Sequence, residues 1–232
     1  MSTVTPVSSY PTACHDPQAS DAPCVIILPC IAWDMLSHTC KDKDASRYAI
    51  NGVLVESRAD GLTVAATDGH RLAVWDGPPA EPAKDVDSPE FSIVLPAAAL
   101  KDLAKPKPTE RWAMLSVEPT GERDAKFTIE YPKGLIRGEG MDKNFPPYRD
   151  VMPDYRDDGY EQSTISTSIA IPPKHLADAG QLLHQFIRRH DVPGNTPGAD
   201  WRHRFGNRPI TLEVSDDADH RLTVVIMPTN GK

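Results

Sequence analysis

Several features are scarce in this sequence, and each scarcity excludes a class of protein. No run of about 18 apolar residues occurs, so no membrane-spanning helix is expected. The net charge of −8 argues against a surface that is basic throughout, although it leaves room for a local basic patch. Aromatic residues make up only 6% of the chain, whereas prolines number 23. This composition is typical of a fold with many short strands and helices rather than of a helical bundle.

The few cysteines do not form a metal-binding pattern. No C-x-x-C pair occurs among the four cysteines, which are Cys14, Cys24, Cys30 and Cys40. Structural zinc sites favour such closely spaced ligand pairs. Free thiols in a reducing cytoplasm are the favoured interpretation, with a zinc site as the open alternative. No metal site and no cofactor are predicted.

A signal peptide is not expected either. The apolar stretch 24–36 is interrupted by Pro29 and Asp34, and no Lys or Arg occurs before Lys41, so the basic segment that precedes a signal sequence is missing. The predicted location is therefore cytoplasmic. Residues 1–23, rich in Ser, Thr, Pro and Ala without periodicity, are predicted to form a disordered tail.

A pattern repeats three times along the rest of the chain. Each copy has a short apolar strand that ends in Pro, then an amphipathic helix, then further strands. The strand and helix pairs are 25–29 with 30–41, 91–96 with 97–105, and 168–172 with 173–189. The later strands are predicted at 48–57, 62–75, 113–117, 126–131, 135–138, 210–214 and 222–227.

These repeats predict an α+β fold built from β-α-β-β units, with a further strand in at least the first two. The units divide the chain into residues 24–153, with two units, and residues 165–232, with one unit, joined by a linker at 154–164.

The predicted helices each have an apolar and a partly cationic face. In the third helix the apolar stripe is predicted at Leu176, Gly180, Leu183 and Ile187. In the second helix Leu100 and Leu103 oppose two lysines, and in the first, Trp33, Leu36 and Cys40 oppose His38 and Lys41. A single such face is ordinary solvated surface, but three equivalent faces favour a shared basic lining.

Asp68-Gly69-His70-Arg71 places an acid, an imidazole and a guanidinium together, which suggests general acid–base catalysis as one hypothesis. The sequence supplies no metal-spaced cluster and no nucleophile elbow beside them. A tight turn at Asp68-Gly69 is the favoured interpretation, and the chain is not expected to be an enzyme.

Three strings resemble one known family. Residues 46–56 with Ala66-Thr67-Asp68-Gly69-His70-Arg71-Leu72-Ala73-Val74, then 144–153, then 224–228 occur in the order found in bacterial DNA polymerase III β subunits, the β sliding clamps. The family's chain has three domains of two β-α-β-β-β units each. This chain resembles a shortened form, with the central domain and the final half of the last domain.

The resemblance implies a hydrophobic cleft that receives short linear motifs from polymerases, the clamp loader and repair proteins. Leu or Phe anchors would enter an adaptable apolar pocket, with His70 and Arg71 orienting them at its rim. The cleft residues implied here are Ile50, Thr67, Gly69, His70, Arg71, Leu72, Pro146, Val151, Val225 and Met227.

The resemblance also implies a ring that encircles duplex DNA, with helices lining the hole and sheets outside. The helix faces give the candidate DNA-facing residues Lys41, Lys101, Lys105, Lys174, Gln181, Gln185 and Arg188. Because the family closes its ring with twelve units, three units per chain predict a head-to-tail homotetramer. The alternative is an interaction protein that sequesters clamp partners or joins a host clamp without encircling DNA.

The segment 190–209 fits none of these patterns. Its Trp201-Arg202-His203-Arg204-Phe205 string combines charge with aromatic rings, which suits nucleic acid binding. An ordered surface loop with a packed Trp is the favoured alternative.

Overall fold

A computed structural model describes residues 23–41, 48–79, 90–120, 125–142, 144–152, 171–190, 200–203 and 209–227. The predicted tail up to residue 22, the linker 154–164, residues 168–170 and most of 190–209 lie outside this part of the chain. The strands described are β1 Cys24–Pro29, β2 Gly52–Arg58, β3 Gly61–Thr67, β4 Arg71–Gly77, β5 Phe91–Pro96, β6 Trp112–Pro119, β7 Ala125–Tyr131, β8 Gly134–Glu139, β9 Asp200–His203, β10 Ile210–Ser215 and β11 Arg221–Ile226. The α-helices described are α1 Ile31–Asp34, α2 Ala97–Asp102 and α3 Pro173–His190, with 3-10 turns at Met35–His38 and Tyr148–Val151.

The first two units exchange strands. One antiparallel sheet has the order β1-β6-β7-β8, so it combines the first strand of unit one with the last three strands of unit two. The other sheet begins β5-β2-β3-β4, which is the reciprocal arrangement. The first strand of each unit pairs with the second strand of the other unit, so neither unit completes its sheet alone. This exchange confirms the predicted α+β repeat.

The third unit extends the second sheet. Strand β11 pairs antiparallel with β4, and β10 and β9 follow it, so the sheet reaches seven strands, β5-β2-β3-β4-β11-β10-β9. Helix α3 packs against α1, β10 and β11. The third unit thereby shares the core of the first two among the described residues, with Phe186 and Val224 in the same cluster as Ile26 and Trp75.

The seven-stranded sheet buries apolar residues on both faces. On β4, Ala73 and Trp75 face the main core with the helices, whereas Leu72 and Val74 face a second cluster on the outer side. This alternation is the two-residue period of a strand, and it explains why β3 and most of β4 are buried throughout.

Three predicted elements differ in length or position. The first helix is a single α-turn followed by a 3-10 turn, since Ser37 Oγ and Thr39 Oγ1 donate to the carbonyls of Asp34 and Leu36 at 3.2 and 2.9 Å. The predicted strand 62–75 is two strands divided by a turn at 68–70. Strand β9 lies in the segment expected to be a loop.

The apolar stripe predicted for α3 is wrong by about one residue. The buried residues are Ala179, Leu182, Leu183 and Phe186, while Leu176 is 37% exposed. Arg189 lies on the same buried face, is 2% exposed and bonds Asp34 Oδ2 through Nε at 2.6 Å. None of the described helices is long and apolar enough to cross a bilayer.

Candidate functional site: the junction of β4 and β11

The last strand of unit one, β4, and the last strand of unit three, β11, form the floor of the candidate site. Leu72 of β4 pairs with Val225 of β11 on one side and with Thr67 of β3 on the other. All three side chains are buried, with exposures of 4%, 1% and 7%. This row across three strands brings together three of the residues predicted for the cleft.

A tight turn closes one end of this junction. Asp68 Oδ1 accepts hydrogen bonds from the backbone N–H groups of His70 and Arg71 at 3.0 and 3.1 Å. Gly69 has φ 87°, a left-handed conformation that glycine adopts without strain. The backbone N–H of Met227 donates to the His70 carbonyl at 2.9 Å, which fixes the end of β11 against the turn.

This geometry gives Asp68 a structural role. Its Oδ1 holds the turn and its Oδ2 accepts from Arg71 Nε at 3.1 Å, so the carboxylate is committed to local contacts. The turn interpretation of the Asp68-Gly69-His70-Arg71 string is the one that the structure supports.

Residues 144–152 cover part of the outer face of the sheet. The Ala49 N–H donates to the Asn144 carbonyl at 3.0 Å, and the Tyr148 hydroxyl donates to Glu56 Oε2 at 2.7 Å. Arg149 also bonds Glu56, at 2.8 Å. Burial, with Glu56 nearby, strongly raises the pKa of Tyr148, so its hydroxyl remains a donor. These bonds hold the segment beside β2.

The rim residues keep apolar surface exposed. Val151 is 37% exposed and Met227 is 36% exposed, while Ile50 and Pro146 are half-buried. Gly69 and His70 are exposed on the turn. Sequence reasoning missed Met152 and Phe145, which pack against the outer cluster that contains Leu72, Val225 and Tyr148. The sequence signal for these two residues was that both are apolar and lie within four positions of Tyr148 in the chain.

Arg71 is a predicted cleft residue whose side chain lies elsewhere. It is 4% exposed, and strand alternation directs it to the face opposite Leu72. Its guanidinium donates to Asp68, to Asp178 of α3 and, at 2.7 Å, to the Ser37 carbonyl. The expectation that Arg71 orients a ligand at the rim is therefore corrected: the side chain ties β4 to α3.

The groups around Arg71 form a buried electrostatic network. Burial lowers the pKa of His38 to about 4, and the Arg71 cation adds to this. Burial alone would raise the pKa of Asp178, but the hydrogen bond and charge of Arg71 outweigh it and hold that pKa below its usual value. His38 was expected on the outer, cationic face of the first helix, yet it is fully buried at the end of the 3-10 turn Met35–His38.

Most of the candidate DNA-facing side chains lie at the surface. The exposed ones are Lys41, Lys101, Lys105, Lys174, Gln181 and Arg188, and Gln185 is half-buried. Leu100 and Leu103 are buried on the opposite side of α2, as predicted. Lys105 Nζ lies 2.9 Å from Asp34 Oδ1, so this lysine and the buried Arg189 both offset the Asp34 charge.

Solved structures of sliding clamps share this architecture. The structure aligns with the DNA polymerase sliding clamp of Bacillus subtilis at a TM-score of 0.61 and 13% identity, covering 94% of this chain and 68% of that one. It aligns with DNA polymerase III subunit beta of Borrelia burgdorferi at a TM-score of 0.58 and 13% identity, covering 94% and 67%. The fold is that of a sliding clamp.

Sequence comparison identifies the family. Residues 38–146 match the DNA polymerase III beta subunit, central domain. The beta sliding clamp of Escherichia coli K12 is 28% identical over 153 residues, which is 64% of this chain and 34% of that protein. That of Synechococcus elongatus is 28% identical over 116 residues, 47% of this chain and 28% of that protein.

Over residues 38–146 in sequence and over most of its length in fold, the chain is therefore similar to the bacterial β sliding clamps, a family of non-enzymatic processivity factors. The predicted relationship is confirmed. The matched segments span about a third of the length of these curated relatives.

Proposed function

We propose that this chain acts as a sliding clamp, which encircles duplex DNA and tethers replication and repair proteins through the cleft at the β4–β11 junction. The observation that carries the proposal is the pairing of Leu72 with Val225, because it joins the two distant strings of the cleft within one chain. A protein that only preserved the fold would not need both strings and the exposed apolar rim beside them.

The cleft suits a short extended peptide with apolar anchors. Its floor is aliphatic, and the exposed Met227 and Val151 add adaptable apolar surface. His70 is exposed on the turn, and its ring stacks with that of His175 of α3 at 6.1 Å. Such a pocket gains affinity by burying one or two Leu or Phe side chains.

Binding of DNA rests on weak phosphate contacts. Lys101, Lys174 and Arg188 are exposed cations on α2 and α3, and contacts to phosphate alone permit sliding. The overall charge of −8 then opposes DNA binding elsewhere on the surface.

A closed ring requires several copies. In units one and two, the strand after the helix is β2 or β6, and it pairs with the first strand of the other unit, β5 or β1. Strand β9 is the corresponding strand of unit three. In the described residues β9 pairs with β10 alone, and β8 is likewise an edge. These edges would accept strands of other copies, and four copies would supply the twelve units of a clamp ring.

Light scattering coupled to size-exclusion chromatography tests the ring. A tetramer has a mass of roughly 102 kDa, four times the 25.5 kDa of the chain. A mass near 25.5 kDa at micromolar concentration would contradict the ring and leave the sequestering role, provided that a synthetic peptide with Leu and Phe anchors still binds.

A further inference from the structure

A cluster of two imidazoles and a carboxylate lies at the other end of the β4–β11 pair. His190 ends α3, while Asp216 and His220 lie in the turn between β10 and β11. Asp216 Oδ2 is 2.9 Å from His190 Nδ1 and 2.7 Å from His220 Nδ1. The three side chains are only 7%, 7% and 13% exposed in that chain order, so the cluster is largely sheltered from solvent.

The surroundings orient each of the three side chains. Asp216 Oδ1 accepts from the backbone N–H groups of Ala218 and His220 at 2.9 and 3.0 Å, which turns Oδ2 toward the imidazoles. The His190 ring stacks on Phe186 at 4.2 Å, and the His220 ring stacks on Trp75 at 5.5 Å. Ligand side chains fixed by such contacts are preorganised.

Glycine makes room for this packing. A Cβ at Gly77 would lie 2.3 Å from Trp75 Cη2 and 3.0 Å from His220 Cδ2. The absence of a side chain at residue 77 therefore lets both rings occupy their places.

The charges of the cluster suit a metal ion. Burial, with His220 and Arg111 nearby, lowers the pKa of His190 to about 4 although Asp216 opposes the shift, so this imidazole is neutral at pH 7. Burial would raise the pKa of Asp216, but hydrogen bonds from His220 and from two backbone N–H groups hold it below its usual value. A neutral imidazole and an ionised carboxylate are the forms that ligate metals.

We propose that His190, Asp216 and His220 form a three-ligand site for a divalent transition-metal ion, with Zn²⁺ as the representative. Their ligand atoms lie within 4.8 Å of one another. Two nitrogens and one oxygen match the ligand set of zinc rather than that of Ca²⁺ or Mg²⁺, which prefer oxygen. Coordination through Nδ1 needs the proton of each imidazole to lie on Nε2, and the ion then replaces the contacts of the two Nδ1 atoms with Asp216 Oδ2, with water in the fourth position.

An ion here would lie where side chains of all three units meet. The ligands come from unit three, while Trp75 belongs to unit one and Trp112, 5.8 Å from the His220 ring, to unit two. The site is separate from the cleft, so it does not depend on the proposed peptide binding.

The test compares metal-free and metal-loaded full-length protein. Adding ZnCl₂ at about a hundred times its Kd should raise Tm by about 5–10 °C, and calorimetry should give one ion per chain. CoCl₂ should give visible absorption bands of a low-coordinate site. His190→Gln and His220→Gln should lose the metal-dependent rise, whereas His184→Gln, exposed on the same helix, should keep it.

Two results would overturn the proposal. One is the lack of stoichiometric Zn²⁺ binding by the wild-type chain. The other is an unchanged metal-dependent rise in both cluster variants, which would place the ion elsewhere, for example at the stacked His70–His175 pair. If neither variant folds, histidine side-chain NMR of the wild-type protein decides, because only liganded imidazoles should shift on adding Zn²⁺.

Discussion

The two ends of the β4–β11 pair are built differently. At the cleft end, the buried row through Leu72 and Val225 leads out to Met227, which is 36% exposed. At the other end, Trp75 is 1% exposed and lies against the rings of His220 and Trp112. One strand pair therefore ends in open apolar surface on one side and in a packed aromatic cluster on the other.

This difference separates binding from stability. The open end leaves apolar surface in solvent, which costs free energy unless a partner covers it. The packed end and the Arg71 network stabilise the junction between the units. Changes at the packed end should lower stability, and changes at the open end should lower partner affinity.

The largest expected effect is that of Trp75→Ala at the packed end. Removing this buried indole should lower the free energy of unfolding by about 3–5 kcal/mol, because the cavity it leaves cannot be filled by its neighbours. Urea unfolding followed by circular dichroism measures the change. Trp112→Ala is the matched control: this Trp is 39% exposed, and a loss as large as that for Trp75→Ala would contradict the distinction.

Arg71→Ala should have the next largest effect on stability. It leaves Asp178 and Asp68 without their buried cation and should cost about 3 kcal/mol. The neighbouring His70→Ala, exposed on the turn, should cost less than about 0.5 kcal/mol in the same urea experiment. Equal losses for the two variants would show that Arg71 does not join β4 to α3.

Acid should weaken this network through His38. Its pKa is about 4 in the folded chain against an unfolded value of about 6.5, so below pH 6.5 the unfolded state binds the extra proton. Stability should therefore fall as pH drops from about 6.5 toward 4, by roughly 2 kcal/mol from this residue by pH 5. Thermal unfolding of His38→Gln should be less sensitive to pH than that of the wild type. A slope change of the same size in His184→Gln, whose imidazole is exposed, would contradict this assignment.

The smallest effect concerns the open end. Met227→Ala should weaken binding of a peptide with Leu and Phe anchors by about tenfold, with stability changed by less than about 0.5 kcal/mol. Fluorescence anisotropy measures the affinity. Leu135→Ala is the control, because Leu135 is similarly exposed at 51% but lies on β8. Equal weakening by both variants would argue against this cleft.

Local patterns predicted much of the fold. Period-two alternation and Pro-terminated strands located most strands, and two of the motif strings lie on β4 and β11, which pair at the candidate site. Long-range pairs were not predictable. Arg189 looks like a solvent-facing helix residue, and its burial depends on Asp34, 155 positions away, and on the carbonyls of Pro106, Lys107 and Glu110. The same holds for His190, whose partners Asp216 and His220 lie beyond a segment expected to be a loop.

Strand alternation could have corrected one error from sequence alone. Arg71 and Leu72 are adjacent on a strand, so they cannot both face the cleft. A family string names positions that belong to a site, but it does not distinguish side chains that contact a ligand from those that support the strand behind it.

Retention on circular DNA tests the central claim most directly. Purified protein, loaded by a clamp loader onto nicked circular duplex DNA, should stay bound through gel filtration in moderate salt and be lost once the DNA is linearised. Such behaviour requires a closed ring, since weak phosphate contacts alone do not survive the salt. Equal retention on circular and linear DNA, or no retention on either, would contradict a clamp that encircles DNA.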